Sequence, residues 1–148
     1  MEKIDKDILN MIQSSFPITS RPYRELGKRL NIPEKDVFER VGKLRKKGII
    51  RRIGGSFHSK KLNFTSTLCA AKVPSDKIEK FVEAVNEFPG VTHNYLRKND
   101  YNIWFTFIAK DMNHIEKALS ELMDKTGVRD VHSLPAVDTF KIKVDFKV

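Results

Sequence analysis

The sequence predicts an α+β chain: a winged helix-turn-helix followed by a ferredoxin-like βαββαβ sandwich. Three observations predict it. Three short segments with helical apolar spacing precede residue 50, separated by Pro-containing turns. After residue 63 the apolar runs read strand, helix, strand, strand, helix, strand. Within that second part, Val91–Thr106 alternates as two strands about Lys98-Asn99-Asp100, the pattern of a β-hairpin. The expected division is residues 1–53, a linker strand over 54–63, and 64–148.

In the first part, Ile4, Ile8, Met11 and Ile12 recur at helical spacing, with Asp5 and Asp7 favourable near a helix N-terminus. Phe16-Pro17 should end this helix, because the residue before proline avoids the α region. Ser20-Arg21-Pro22 reads as an N-cap with proline in the first turn of a second helix, Tyr23 to Leu30. Pro33 opens a third, with Val37, Val41 and Leu44 inward, and Gly48 stops it. Ile49 to Ile53 then leads off as a strand.

Phe64 to Val73 is an apolar strand. A helix starts at Pro74-Ser75-Asp76 and buries Ile78, Phe81, Val82 and Val85 until Phe88-Pro89-Gly90 ends it. After the hairpin, Met112 to Thr126 is a helix with Ile115, Leu119, Leu122 and Met123 inward, closed by Gly127. Val128 to Leu134 and Ala136 to Val148 supply one or two further strands, the last alternating Phe140, Ile142, Val144, Phe146 against polar residues. Both helices would cover one sheet face, so the other calls for a partner chain.

Composition fits a folded, soluble chain: 40% hydrophobic and 32% charged. No apolar run is long enough to span a bilayer, and the first residues lack the apolar stretch of a signal peptide. A single cysteine, Cys69, excludes an intrachain disulfide framework and Cys-rich metal sites, and is expected in the core. A cytoplasmic location is expected. The net charge is +9, and +7 of it lies in residues 1–55. That excess invites an anionic partner, either nucleic acid or a polyanionic small molecule. Arg40, Lys43, Arg45, Lys46 and Lys47 suit DNA, but Glu34 and Asp36 stand in the turn that would approach phosphate. DNA binding is therefore not the expected role.

The hairpin carries His93, Arg97, Tyr95, Tyr101, Asn94, Asn102 and Trp104, the only tryptophan, where a purely structural hairpin favours Val, Ile and Thr. Simple pairing about the three-residue loop sets Arg97 opposite Tyr101, Tyr95 opposite Ile103 and His93 opposite Phe105. Asn94, Leu96, Asn102 and Trp104 then lie on the other face, unless a bulge changes the pairing.

The order of parts, with Leu26-Gly27-Lys28-Arg29-Leu30 and Lys43 to Ile50, resembles the Lrp/AsnC architecture. A closer resemblance is to an enzyme branch of it, the sirohaem decarboxylases of alternative haem biosynthesis, of the AhbA type and related to NirD and NirL. It is carried by Arg51-Arg52-Ile53-Gly54 with Ser56-Phe57, Thr67 to Pro74, Gly90 to Arg97, and Tyr101 to Thr106. The resemblance implies removal of carbon dioxide from two acetate side chains of sirohaem, giving didecarboxysirohaem, in a heterodimer with a paralogous AhbB-like subunit. No protein-bound cofactor is implied, since iron arrives with the substrate, and haem is expected to bind as an analogue. The alternative is an Lrp/AsnC-type DNA-binding transcriptional regulator with a ligand-sensing domain.

On that reading His93 is the expected proton donor and Arg97 the expected carboxylate anchor. Arg51, Arg52, His58, Tyr95, Tyr101 and Trp104 are the expected substrate-binding residues, with Arg51 and Arg52 on opposite faces of the linker strand. His132, near the final strands, is a lesser candidate, and His114 is expected on the surface.

Overall fold

The structure is a computed structural model that describes residues 1–141 and 145–148. It divides into two compact units: residues 1–55 with 141–148, and residues 56–140.

In the first unit, α1 (Lys3–Ser15), α2 (Pro22–Leu30) and α3 (Glu34–Lys46) enclose Ile8, Leu9, Leu26, Val37, Val41, Leu44 and Ile50. Arg21 rather than Ser20 is the N-cap of α2, with Pro22 in its first turn. Asn31 ends α2 in the left-handed conformation, and Gly27 lets the turn pass close: a Cβ there would sit 2.6 Å from the Ile32 carbonyl oxygen. Residues 49–53 form no strand, and among the described residues they have no neighbouring strand to pair with. As far as the described residues go, the unit is therefore a helix-turn-helix without the expected wing. Arg40 ties α3 to α1 through Asp5 at 2.7 Å and Glu2 at 2.9 Å. Burial pushes the Asp5 carboxyl up, but the Arg40 hydrogen bond, the Glu2 backbone and positive charge together hold it below its usual range.

The second unit has the expected order: β1 (Thr65–Ala71), α4 (Ile78–Asn86), β2 (Val91–Leu96), β3 (Ile103–Ala109), α5 (Met112–Thr126) and β4 (Val131–Leu134). The linker is not a strand; it contains a 3-10 turn over Ser59–Leu62. The sheet order is β2-β3-β1-β4, all neighbours antiparallel. Cys69, Ala71, Ile103, Phe105 and Phe107 face α4 and α5, against Phe81, Val85, Ile115, Leu119 and Leu122. The residues alternating with them, Leu68 and Ala70 on β1 and Trp104 and Thr106 on β3, form the opposite face, which α4 and α5 do not cover. Residues 136–140 and 145–148 are not in strands, and the expected Ile142 and Val144 positions lie outside the described residues.

The hairpin differs from simple pairing in two ways. Its loop has four residues, Lys98–Tyr101, because the Arg97 N–H donates to the Asn102 carbonyl at 2.7 Å. Tyr95 therefore faces Trp104, Asn94 faces Phe105, and His93 faces Thr106. A bulge between Val91 and His93 then absorbs one residue and restores Val91 opposite Phe107. Gly90 packs beneath this bulge: a Cβ there would meet the Ile108 carbonyl oxygen at 2.2 Å and the Phe107 ring at 2.7 Å. Asn102 pins the other end, accepting from the Val73 N–H at 2.9 Å and donating to its carbonyl at 2.8 Å.

Candidate functional site on the open sheet face

The register decides which hairpin side chains are together. His93 and Tyr95 share the open face with Trp104, and their rings stack at 6.0 Å between centroids, 22° apart. The Arg97 guanidinium lies 5.9 Å from the Tyr95 ring centre and 6.0 Å from that of Trp104. Two π faces thus hold a cation that stays exposed, able to offer its N–H groups outward. Trp104 is kept in place by its indole N–H, which donates to the Tyr101 carbonyl at 2.6 Å. The His93 Nδ1 lies 3.0 Å from the Thr92 hydroxyl, and His93 itself is exposed.

Asn94, on the opposite face, donates to Asn86 of α4 at 3.0 Å and plays a packing role. Ile103 and Phe105, expected beside His93 and Tyr95, are buried in the core instead. Trp104 moves the other way, from the expected far face to the open one. The cause is the single-residue shift in loop length, which exchanges the faces of β3.

Tyr101 lies in the loop. Its hydroxyl donates to Asp130 Oδ1 at 3.1 Å and lies 3.2 Å from His132 Nε2. His132 Nε2 is 2.8 Å from the same carboxylate oxygen. The hydrogen bond to Asp130, with burial and nearby negative charge, pushes the phenol above its usual range. Tyr101 is thus held as a neutral donor committed to Asp130. Asp130 was not legible as a partner, being separated from Tyr101 by 29 residues; the one local hint was its Asp-x-His spacing to His132.

Two rows cross the open face. One reads His132, Ala70, Trp104, Tyr95; the other reads Leu134, Leu68, Thr106, His93. Leu68, Leu134 and Tyr95 are each about half exposed (43%, 46% and 51%), so the floor is apolar with cationic and histidine edges.

His58 is exposed at the start of the 3-10 turn. Arg51 and Arg52 belong to the first unit. Without a strand they do not take opposite faces; both line one cleft of about 800 Å³ with Leu9, Ile12, Phe16 and Phe146. His114 is on the surface, 2.7 Å from Asp111. Cys69 is fully buried, and burial pushes its thiol up to about 12. Among the described residues no cluster of His, Cys, Asp and Glu could hold a metal. No helix of the described residues is long and apolar enough to cross a membrane.

Comparison with known proteins follows the same division. The AsnC-like ligand binding domain family matches residues 61–141, and the siroheme decarboxylase NirDL-like HTH domain family matches residues 5–51. The siroheme decarboxylase alpha subunit of Desulfovibrio desulfuricans is 51% identical over 148 residues, covering 100% of this chain and 85% of the relative. A crystal structure of the siroheme decarboxylase NirDL with an iron-uroporphyrin III analogue is 31% identical, with a TM-score of 0.71. That match covers 97% of this chain and 48% of the other. An AsnC family transcriptional regulator from Agrobacterium tumefaciens superposes with a TM-score of 0.80 over 99% of this chain and 96% of its own. At 23% identity that likeness concerns the fold alone.

Proposed function

The chain belongs to the siroheme decarboxylase family, and we propose that it is a sirohaem decarboxylase subunit acting non-oxidatively on two acetate side chains of sirohaem, with didecarboxysirohaem as product. The observation that carries this reading is the full-length likeness, 51% over all 148 residues, to a relative named for that activity. The open sheet face supplies the chemistry. A tetrapyrrole rimmed with carboxylates needs an apolar floor for its ring and cations for its edge. Leu68, Leu134, Trp104 and Tyr95 offer the first, and Arg97 the second.

In this mechanism Arg97 holds an acetate carboxylate by paired N–H donors. The bond between the methylene carbon and the carboxyl carbon breaks, and carbon dioxide leaves. Its electron pair stays on the methylene carbon, delocalised into the macrocycle. His93 then delivers a proton to that carbon, forming a methyl group, and is reprotonated from solvent. No oxidant enters the balance and no protein-bound cofactor is needed. Tyr95 and Trp104 pack on the ring, and His58 serves another carboxylate. A paralogous subunit covers the face and completes the cavity. A cytoplasmic setting suits the free thiol of Cys69.

The regulator reading is not favoured. Arg40 of α3 is already committed to Asp5 and Glu2, and the carboxylates of Glu34 and Asp36 stand at the helix start. The test is anaerobic incubation of sirohaem with this chain alone and then with its paralogue, followed by mass spectrometry. Loss of two carbon dioxide units with the pair is expected; unchanged sirohaem, or tight salt-sensitive binding to one DNA sequence, overturns the reading.

A further inference from the structure

A carboxylate anchor works best when its fork is already in place, because an arginine that must be ordered on binding gives up rotamer freedom at that moment. Arg97 is poorly placed for such order. It is exposed, and it stands just past the end of β2, at the start of the hairpin turn. What holds its guanidinium is a pair of rings, Tyr95 at 5.9 Å and Trp104 at 6.0 Å. Tyr95 sits on the same strand. Trp104 comes from β3, and its ring orientation decides whether the second π face is there at all.

The torsion that turns an indole ring is broad by nature, so a hydrogen bond selects its orientation. Here the Trp104 indole N–H donates to the Tyr101 carbonyl at 2.6 Å. Tyr101 lies in the turn, yet its far end is tied down: its hydroxyl donates to Asp130 Oδ1 at 3.1 Å. Asp130 belongs to the frame of the sheet, since it directly precedes β4 and its carbonyl accepts the Lys72 N–H at 2.9 Å. The rest of the turn is drawn the same way. Lys72 Nζ lies 3.5 Å from Asp100, and Asn102 is bonded to both backbone groups of Val73. A continuous series of contacts therefore runs from the sheet through Asp130, Tyr101 and Trp104 to Arg97. A phenylalanine at position 101 would present the same ring and anchor nothing.

We propose that Tyr101, anchored on Asp130, is a positioning residue for Arg97. It fixes the carbonyl that orients Trp104, and Trp104 in turn holds the guanidinium as a preformed fork for a substrate carboxylate. Tyr101 itself touches no substrate, in contrast to the binding role expected of it from the sequence. The inference rests on the decarboxylase reading for the identity of that substrate. Its distinguishing mark is that the Tyr101 hydroxyl matters only while an arginine stands at position 97.

The experiment is a double-mutant cycle on the chain assembled with its paralogue, reading KM for sirohaem from anaerobic initial rates. Wild type, Tyr101→Phe, Arg97→Lys and the double variant are compared, with thermal melts confirming each fold. Tyr101→Phe removes one hydroxyl and leaves the contact between Asp130 and His132 Nε2, 2.8 Å, in place. It is expected to raise KM about fivefold in the presence of Arg97 and to add nothing once Lys stands there. Without substrate, the fluorescence of Trp104, the only tryptophan, becomes more readily quenched by acrylamide in Tyr101→Phe. Trp104→Phe, which keeps a ring and donates nothing, shows the same coupling to Arg97→Lys and serves in its place should Tyr101→Phe not fold. An unchanged KM, effects that add in full in the double variant, or unchanged Trp104 quenching overturns the proposal; full additivity is what a direct contact or a merely structural role gives. If the wild-type pair leaves sirohaem unconsumed, the decarboxylase reading falls. The same cycle read by absorbance titration of sirohaem then decides this inference separately, and absence of binding by wild type overturns both.

Discussion

Arg97 lies near the centres of two aromatic rings, and a planar guanidinium suits that place better than an ammonium does. Arg97→Lys keeps the charge but loses the fork and the stacking. Its effect should fall on binding: about a tenfold rise in KM for sirohaem, with a smaller change in kcat, measured under single-substrate steady state. Cys69 makes the opposite case. Its thiol is pushed up to about 12 by burial, so alkylating reagents at pH 8 should leave the native protein unmodified and label it fully after denaturation. Because the folded thiol ionises later than the unfolded one, whose usual value is 9.0, folding loses stability as pH rises from about 9 towards 12. A thermal melt series across that interval reads the slope. At this scale the sequence was a fair guide to chemistry and a poor one to neighbours. His93, Tyr95 and Arg97 were legible as companions because strand alternation is local. Asp130 and His132 were not legible as partners of Tyr101, since nothing in strand periodicity brings a loop to a strand 29 residues away.

Among the elements, every helix and the strands of the second unit lie close to where periodicity places them, because apolar spacing reports burial directly. What failed were features that depend on a pairing. Residues 49–53 have a strand's composition and, among the described residues, no strand beside them. The hairpin register shifted by one because loop length is set by side-chain anchors, namely Asn102 on Val73 and Trp104 on Tyr101, and not by the apolar pattern. Gly90 allows the backbone of β3 to approach the start of β2. Gly90→Ala should cost about 2 kcal/mol through overpacking, seen as a lower midpoint in urea denaturation. In the helical unit, Arg40→Ala should cost about 1 kcal/mol at pH 7, a value already reduced for solvent screening. The Asp5 carboxyl is depressed, so its contribution is present above the usual 3.8 and fades as pH falls through the folded value. Stability curves of wild type and variant should therefore converge in acid.

For the molecule as a whole, charge sets the reach of the recognition. A balance of +9, concentrated in the first 55 residues, attracts a polyanion from beyond contact distance. Affinity for sirohaem should weaken steadily as ionic strength rises from 0.05 to 0.5 M, measured by absorbance titration, because the Debye length shrinks over that range. The architecture was legible as a whole, and so was the family. Which side chains share the open sheet face was not, since that depended on one residue of register.

That residue has a consequence for how this chain can vary in length. The bulge at Thr92 works as a phase shifter: upstream, Val91 points to the helices, and downstream, His93 points away from them. Loss of Thr92 would therefore remove the extra residue and leave the register intact, with Val91 opposite Phe107 and His93 still opposite Thr106. Loss of a residue beyond the bulge is different: without Asn94, and with His93 held opposite Thr106, Tyr95 would fall opposite Phe105 and turn towards the core while Leu96 turned onto the floor. Working descendants of this chain should therefore tolerate a one-residue deletion at the bulge and none within His93–Leu96.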